Sequence, residues 1–288
     1  MNNFDKLWDY NDPAGTEIKF REILDEVKSS NDNSAYLQLQ TQIARTLGLQ
    51  MKFDEAHSLL DEVKDNLTED SGIEKVRYLL ERGRVFNSSN QKEKSRDLFL
   101  KAYELSKQIR EDGYAVDAAH MMAIIESHGE ALKWNETALK DAEESDDQRA
   151  KGWLGSLYNN IGWTYFDMKD YEKALNIFEK CRQWHEENKK GYGLAIAKWS
   201  VAKTLRMLGK TDEAMEMQLL LLNDINEGKA ENDGYVFDEL MECCLIKNEK
   251  EKAKEYAGKA YDILSQDIWL QKNEEDRLVR LKKTGNRE

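Results

Sequence analysis

Leu157-Tyr158-Asn159-Asn160-Ile161-Gly162-Trp163-Thr164-Tyr165-Phe166-Asp167-Met168-Lys169-Asp170-Tyr171-Glu172-Lys173-Ala174-Leu175-Asn176-Ile177-Phe178-Glu179-Lys180-Cys181 reads as two helices that cross at small residues. Gly162 lets the two backbones approach and Ala174 is small at the crossing, while Tyr165, Tyr171 and Phe178 fill the space between them. A helix pair of this size cannot bury its apolar face alone. One good copy therefore predicts neighbours of the same kind.

The neighbours recur in phase. With the small residue of the second helix as a ruler, the chain places Ala56, Ser95, Ala131, Ala174, Ala214 and Ala253 at steps of 39, 36, 43, 40 and 39 residues. Apolar and small residues surround each ruler position: Ile43, Ala44, Leu47, Phe53 and Leu60 around Ala56, and Leu79, Gly83, Phe86 and Phe99 around Ser95. Asp12-Pro13 reads as an N-cap followed by a first-turn proline, opening a helix with Phe20, Ile23, Leu24 and Val27 on one face.

The pair Ile161-Gly162, the aromatic residues Tyr165 and Tyr171, and Ala174 and Phe178 on the following helix resemble the tetratricopeptide repeat signature. The resemblance implies an all-α fold: a right-handed superhelix, or α-solenoid, of antiparallel helix pairs. The steps exceed the roughly 34 residues of the basic repeat, and the proline that usually ends each second helix in that family is absent. About five extra residues add roughly 7 Å of helix per repeat at ~1.5 Å per residue, so long helices are expected. Repeats of this length resemble those of the family's bacterial-type peptide-binding regulators and adaptor scaffolds. The expected organisation is a single solenoid over 1–288, with about six full repeats in roughly 34–265. An N-terminal half-repeat or cap covers 4–29 and a C-terminal capping helix covers about 267–284.

Composition fits helices. The 288 residues include one proline and 34% charged residues. Turn residues cluster where helices are expected to end, at Ser29 to Asn33, Thr68 to Gly72, Glu111 to Gly113, Glu144 to Asp147, Lys190-Gly191 and Asn232 to Gly234. No apolar run approaches the ~20 residues needed to cross a bilayer, and Met1-Asn2-Asn3-Phe4-Asp5 starts no signal peptide. A cytoplasmic protein without membrane contact is expected. Cys181, Cys243 and Cys244 have neither disulfide nor metal spacing and read as buried thiols. The net charge of −13 repels phosphate backbones and argues against direct nucleic-acid binding.

Fragments that look catalytic do not hold together. Leu208-Gly209-Lys210-Thr211 resembles the end of a phosphate-binding loop, but Thr204 stands where that loop needs glycine. Gly191-Tyr192-Gly193 lacks the third glycine of a dinucleotide fingerprint. His185-Glu186-Glu187-Asn188 lacks a second histidine, and His57, His120 and His128 form no pair at ligand spacing. The expectation is therefore no catalytic residues, no metal and no cofactor.

The resemblance also indicates which side chains line the concave face formed by the first helix of each repeat. The residue after each Ile161-Gly162-like pair gives Arg45, Arg84, His120, Trp163, Lys203 and Glu242, and neighbouring inward positions include Arg77, Glu81, Asp117, Asn159, Asn160, Phe166, Trp199, Arg206 and Glu239. The candidate ligand-binding residues are Arg45, Arg84, His120, Asn159, Asn160, Trp163, Trp199, Lys203 and Arg206. Arginines would steer and grip a carboxylate, asparagines would read a peptide backbone, and the tryptophans would anchor apolar side chains. Charge reversal at Arg84 or Arg206 is then expected to abolish binding with little change in melting temperature. The competing reading makes Trp163 and Trp199 packing residues and pairs the arginines with Glu81 and Asp117. A family chaperone-tail clamp is not expected: Asn160 matches its middle asparagine, but Val116, His120, Ile196 and Ser200 stand where its basic and polar partners belong.

The function expected from these residues is a non-enzymatic scaffold or adaptor that binds a protein or peptide segment, acidic in character. The alternative is a self-assembly protein that forms homo-oligomers through its solenoid edges, with the groove empty or plugged by the chain's own C-terminus. A sensor of a small molecule or signalling peptide ranks below both.

Overall fold

Aspartates open several of the helices. Asp12 accepts a hydrogen bond from the Gly15 N–H at 2.9 Å, Asp32 from Ala35 at 2.9 Å and Asp170 from Lys173 at 3.3 Å, each satisfying an N–H that the first helical turn leaves free. The computed structural model describes residues 3–231 and 233–287. Met1, Asn2, Asn232 and Glu288 lie outside the described residues, as do the side chains of Asn3 and His128. Asn232, the first residue of the last expected turn, is one of these. The chain divides into two compact units, Met1–Trp153 and Leu154–Glu288.

In the first unit a short 3-10 segment, Asn3–Leu7, precedes α1 (Pro13–Glu22) and α2 (Leu24–Ser29). The pairs α3 (Asn33–Leu49) with α4 (Phe53–Asp65), α5 (Ile73–Ser88) with α6 (Lys92–Ile109) and α7 (Asp112–Ile125) with α8 (His128–Glu144) follow, and α9 (Gln148–Lys151) closes the unit. The longest step of the ruler, from Ala131 to Ala174, is the one that contains α9. The helix expected to run from Pro13 through Val27 is broken at Ile23 into α1 and α2. Phe20 is fully buried, whereas Ile23, Leu24 and Val27 are half-buried at the edge of the same cluster.

In the second unit the pairs are α10 (Leu154–Asp167) with α11 (Tyr171–Glu187), α12 (Gly191–Met207) with α13 (Thr211–Asn226) and α14 (Gly234–Ile246) with α15 (Lys250–Leu264). Two shorter helices, α16 (Ile268–Asn273) and α17 (Glu275–Thr284), end the described chain and put Leu270, Leu278 and Leu281 into the core around Phe237, Met241 and Leu264. Among the described residues there is no strand, and no helix is long and apolar enough to cross a membrane.

The core is a repeated ladder. Each ruler residue lies three positions into its second helix, and the residues four and seven further on are buried with it: Ala56, Leu60 and Val63; Ser95, Phe99 and Ala102; Ala174, Phe178 and Cys181; Ala253, Ala257 and Ala260. This is the spacing of one helical face. In α8 Ala131 is only half-buried, while Asn135 and Ala138 keep the ladder. Cys181, Cys243 and Cys244 are buried free thiols, and burial pushes Cys181 up to about 11 and Cys243 up to about 12. They therefore stay protonated and unreactive near neutral pH.

Candidate functional site

In the first unit, α3, α5 and α7 carry the residues expected to face inward, and their charges are closed into ion pairs. Arg84 donates to Glu81 at 2.7 Å and to Asp117, and Arg45 lies 3.6 Å from Glu81. Burial works to lower the Arg84 pKa, but Asp117 and Glu81 outweigh it and hold the guanidinium above its ordinary value. Burial likewise works to raise Asp117, yet Arg84 and Arg45 keep its carboxyl below the usual range. His120 has its pKa lowered by burial, against the pull of Asp117, and its ring lies 5.1 Å from Trp153.

Beside these pairs lies a cavity of about 430 Å3 whose lining brings in residues far apart in sequence: Asp5, Trp8 and Tyr10 from the N-terminal segment, Arg77 and Tyr114 from α5 and α7, and Arg149 from α9. Arg77 donates to the Tyr114 hydroxyl and to Asp5, and Arg149 lies 3.5 Å from Asp5 and stacks 4.4 Å from the Tyr114 ring centre. Trp8 stacks on Tyr10 at 4.8 Å, donates its indole N–H to Gln42 at 3.0 Å, and lies with Tyr10 under the Arg45 guanidinium at 5.5 and 5.2 Å. Arg77 is 4% exposed, yet its Nη1 has no hydrogen-bond partner, and neither has Glu81 Oε2. Four guanidiniums (Arg45, Arg77, Arg84, Arg149) meet three carboxylates (Asp5, Glu81, Asp117) around this space. One more carboxylate would balance them.

The row expected to face inward in the second unit brings three aromatic residues together. Trp163 on α10 lies 5.2 Å from Phe178, 5.1 Å from Phe166 and 5.6 Å from Trp199 on α12. Trp199 donates its indole N–H to the Tyr235 carbonyl at 3.1 Å. Lys203 sits 4.9 Å over Trp199 and 3.9 Å from Glu239, and burial lowers its pKa against the pull of Glu239. Arg206 grips both oxygens of Glu239. Asn159 and Asn160 are half-buried on α10, and Asn159 Oδ1 is without a partner. At the N-terminal ends of α12 and α14 a cavity of about 600 Å3 opens between Tyr192, Ile196, Trp199, Leu221, Ile225 and Tyr235.

Two expectations are corrected here. Arg84 and Arg206 are not free solvent-facing charges: each side chain is 14% exposed and paired with buried carboxylates. Their reversal would bury like charges together and unsettle the fold. Trp163 and Trp199 are integral to helix packing, because their rings are wedged among Phe166, Phe178 and Tyr235. Asp5, Trp8, Tyr10, Tyr114, Arg149 and Trp153 escaped the sequence reading. The density of Phe4, Trp8 and Tyr10 within the first ten residues was the signal available for the N-terminal part.

Antiparallel helix pairs in phase, packed one after another, define an all-α repeat protein of the solenoid class. Residues 153–223 match the sequence model of the tetratricopeptide repeat, and the fold of the chain is that of tetratricopeptide-repeat proteins. No curated protein sequence matches it. Among solved structures, the apo form of RapI superposes with a TM-score of 0.71 at 14% identity over 92% of this chain and 77% of that one. The apo form of the quorum sensor NprR from B. thuringiensis gives 0.61 at 19% identity over 96% and 78%. NprR in complex with its cognate peptide NprX gives 0.53 at 19% identity over 99% and 84%. These likenesses establish the fold.

Proposed function

We propose that the protein is a non-enzymatic receptor for a protein or peptide segment that carries a carboxylate, bound on the inward side of α3, α5 and α7. The observation that carries this reading is the cavity beside Arg77: a buried guanidinium with an unused donor, an excess of one positive charge, and walls of Tyr114 and Trp153. A buried guanidinium is costly unless its donors are used, and arginine with aromatic side chains is the usual composition of a binding hot spot. NprR, a protein of the same fold, has been solved with a peptide, which supports the class of ligand. Of the residues expected from sequence, Arg45, Arg84 and His120 surround this site. Asn159, Asn160, Trp163, Trp199, Lys203 and Arg206 form the corresponding row of the second unit.

The test uses Arg149→Gln, which removes the charge from a side chain that is 23% exposed without setting a second carboxylate beside Asp5. Partners captured from native lysate by the wild-type chain should be lost with this variant, while the thermal melt stays within a degree or two. The captured segment should lose affinity when its acidic residues are neutralised. Equal capture by both proteins would remove the site.

One observation favours self-association as a second reading. Leu220 is 62% exposed and Ile246 57% exposed, with Leu219 and Leu245 beside them in sequence, on α13 and the end of α14. If copies meet there, Leu220→Glu should lower the mass measured by light scattering after size exclusion.

A further inference from the structure

The carboxylate nearest Arg77 belongs to the protein itself. Phe4 is 5% exposed, with its ring 6.3 Å from Phe20 and 5.6 Å from the Arg77 guanidinium. Asp5 lies between Arg77 at 2.5 Å and Arg149 at 3.5 Å, although 72 and 144 residues separate it from them. Trp8 reaches Gln42 of α3 through its indole N–H and meets Phe20 edge-on at 5.4 Å. An apolar anchor, a bridged carboxylate and a hydrogen-bonded aromatic ring are the three elements by which a peptide would occupy this face.

We propose that the segment Phe4-Asp5-Lys6-Leu7-Trp8 is a tethered ligand of the receptor site, and that it displays the class of partner the site takes: an aromatic residue, an acidic residue directly after it, and a second aromatic residue three positions later. The inference rests on the receptor reading above. Tethering makes the segment a competitor at an effective concentration on the order of millimolar, and a partner sees only the fraction of molecules in which the segment has left. The segment also leaves the site unfinished. The cavity of about 430 Å3 extends past it to Gly113, Asp117 and Trp153, which a longer partner could use and the segment does not. The neighbouring turn gives a place for release: the Asp9 N–H donates to the Thr16 hydroxyl at 3.0 Å, and the Asp12 N–H to the Asp9 carbonyl at 3.2 Å, whereas Tyr10 and Asn11 are exposed.

The probe is a fluorescein-labelled peptide with the sequence of residues 3–11, read by anisotropy. A protease site inserted between Asn11 and Asp12 allows the segment to be cut and washed away after the full chain has folded. The cut chain should bind the peptide saturably, and the Asp5→Asn peptide at least tenfold more weakly. The intact chain should bind the peptide about a hundredfold more weakly than the cut chain. An intact chain carrying Asp5→Asn should recover about tenfold of that difference, since Phe4 and Trp8 still compete for the site. Equal binding of the two peptides by the cut chain, or no gain in the intact Asp5→Asn chain, overturns the proposal. If the cut chain loses its helical signal, the intact Asp5→Asn chain decides alone, and no uptake there makes the segment a structural cap. A lysate partner that needs Arg149 but binds wild-type and Asp5→Asn chains alike would leave the receptor reading standing and remove this one.

Discussion

Gly162 and Phe178 share one volume. A Cβ on Gly162 would lie 2.4 Å from Phe178 Cε1, and one on Gly83 would lie 2.4 Å from Phe99 Cε1. Where the first helix carries Ala44 the second has Leu60 at the same register, and where it carries Met241 the second has Ala257, so the bulk moves from one helix to the other while the crossing stays filled. Gly162→Ala should therefore destabilise by about 1 to 3 kcal/mol through overpacking, although the substitution would gain about 1 kcal/mol of helix propensity at an open site. Urea unfolding measures the loss, and Phe178→Leu in the same background should recover part of it. Asp117 gives a prediction in pH. Its carboxyl is held low by Arg84 and Arg45 against the opposing effect of burial, so its contribution to stability is present above about pH 4 and is lost as pH falls through the lower folded-state value. Asp117→Asn should flatten that acid limb and cost about 3 kcal/mol at neutral pH by leaving buried Arg84 short of a partner. The small and aromatic residues at the crossings were legible in sequence because they recur at a period. The closure of Arg84 by Asp117 was legible only as one of two readings, since the partners are 33 residues apart and nothing local distinguishes a paired arginine from a free one.

The turn inside each helix pair has one recurring conformation. Met51, Asn90, Lys169, Gly209 and Asn248 all have φ between 60° and 79°, and each lies five residues before its ruler residue. The backbone bonds repeat with them: Lys52 N–H to Leu47, Gln91 to Phe86, Asp170 to Tyr165, Lys210 to Leu205 and Glu249 to Cys244, at 2.8 to 3.0 Å. This is a six-to-one closure of the preceding helix, a conformation in which glycine is the unstrained residue. Only one of the five is glycine. The third pair departs from the pattern, with Glu126 and Ser127 extended at its turn. Lys169 is exposed at φ 62°, where a side chain costs roughly 1 to 2 kcal/mol against roughly 0.5 to 1 kcal/mol of extra chain entropy lost by glycine. Lys169→Gly should raise stability by about 0.5 to 1 kcal/mol, seen as a higher melting temperature in calorimetry. Helices of 13 to 18 residues in the pairs follow from ruler steps of 36 to 43, so element length was legible. The turn conformation was not, because tertiary packing imposes a left-handed backbone on methionine and lysine that no local preference announces. The break at Ile23 and the docking of the 3-10 segment escaped for the same reason: both are set by Phe4, Phe20 and Trp8 meeting the rest of the first unit.

At the scale of the whole chain, a net charge of −13 coexists with an arginine cluster around one cavity of the first unit, and the count of charges by residue type hides that arrangement. Sequence ranked the inward basic positions through the repeat register. It could not supply the contribution of Asp5 and Arg149, which only the folded first unit brings together. The C-terminal end poses the matching question for the second unit. Leu270, Leu278 and Leu281 are buried against Phe237, Met241, Ala257 and Leu264, and Arg277 and Arg280 of α17 reach Asp238 and Glu242 of α14. Solenoids need a terminal element with a polar outer side to cover the last apolar face, and α17 has that composition, with Lys282, Lys283 and Glu275 beside its buried leucines. Truncation after Ser265 should remove on the order of 5 kcal/mol of apolar burial from the three leucines and expose Phe237 and Met241, lowering the melting temperature and raising light scattering. Leu278→Ala, which keeps both helices, should cost a milder 2 to 5 kcal/mol without aggregation. The opposite result, an intact melt together with tighter binding of a captured partner, would make α16 and α17 a tail that occupies the inward face of the second unit, and the last repeat would then have to be stable with its apolar side uncovered.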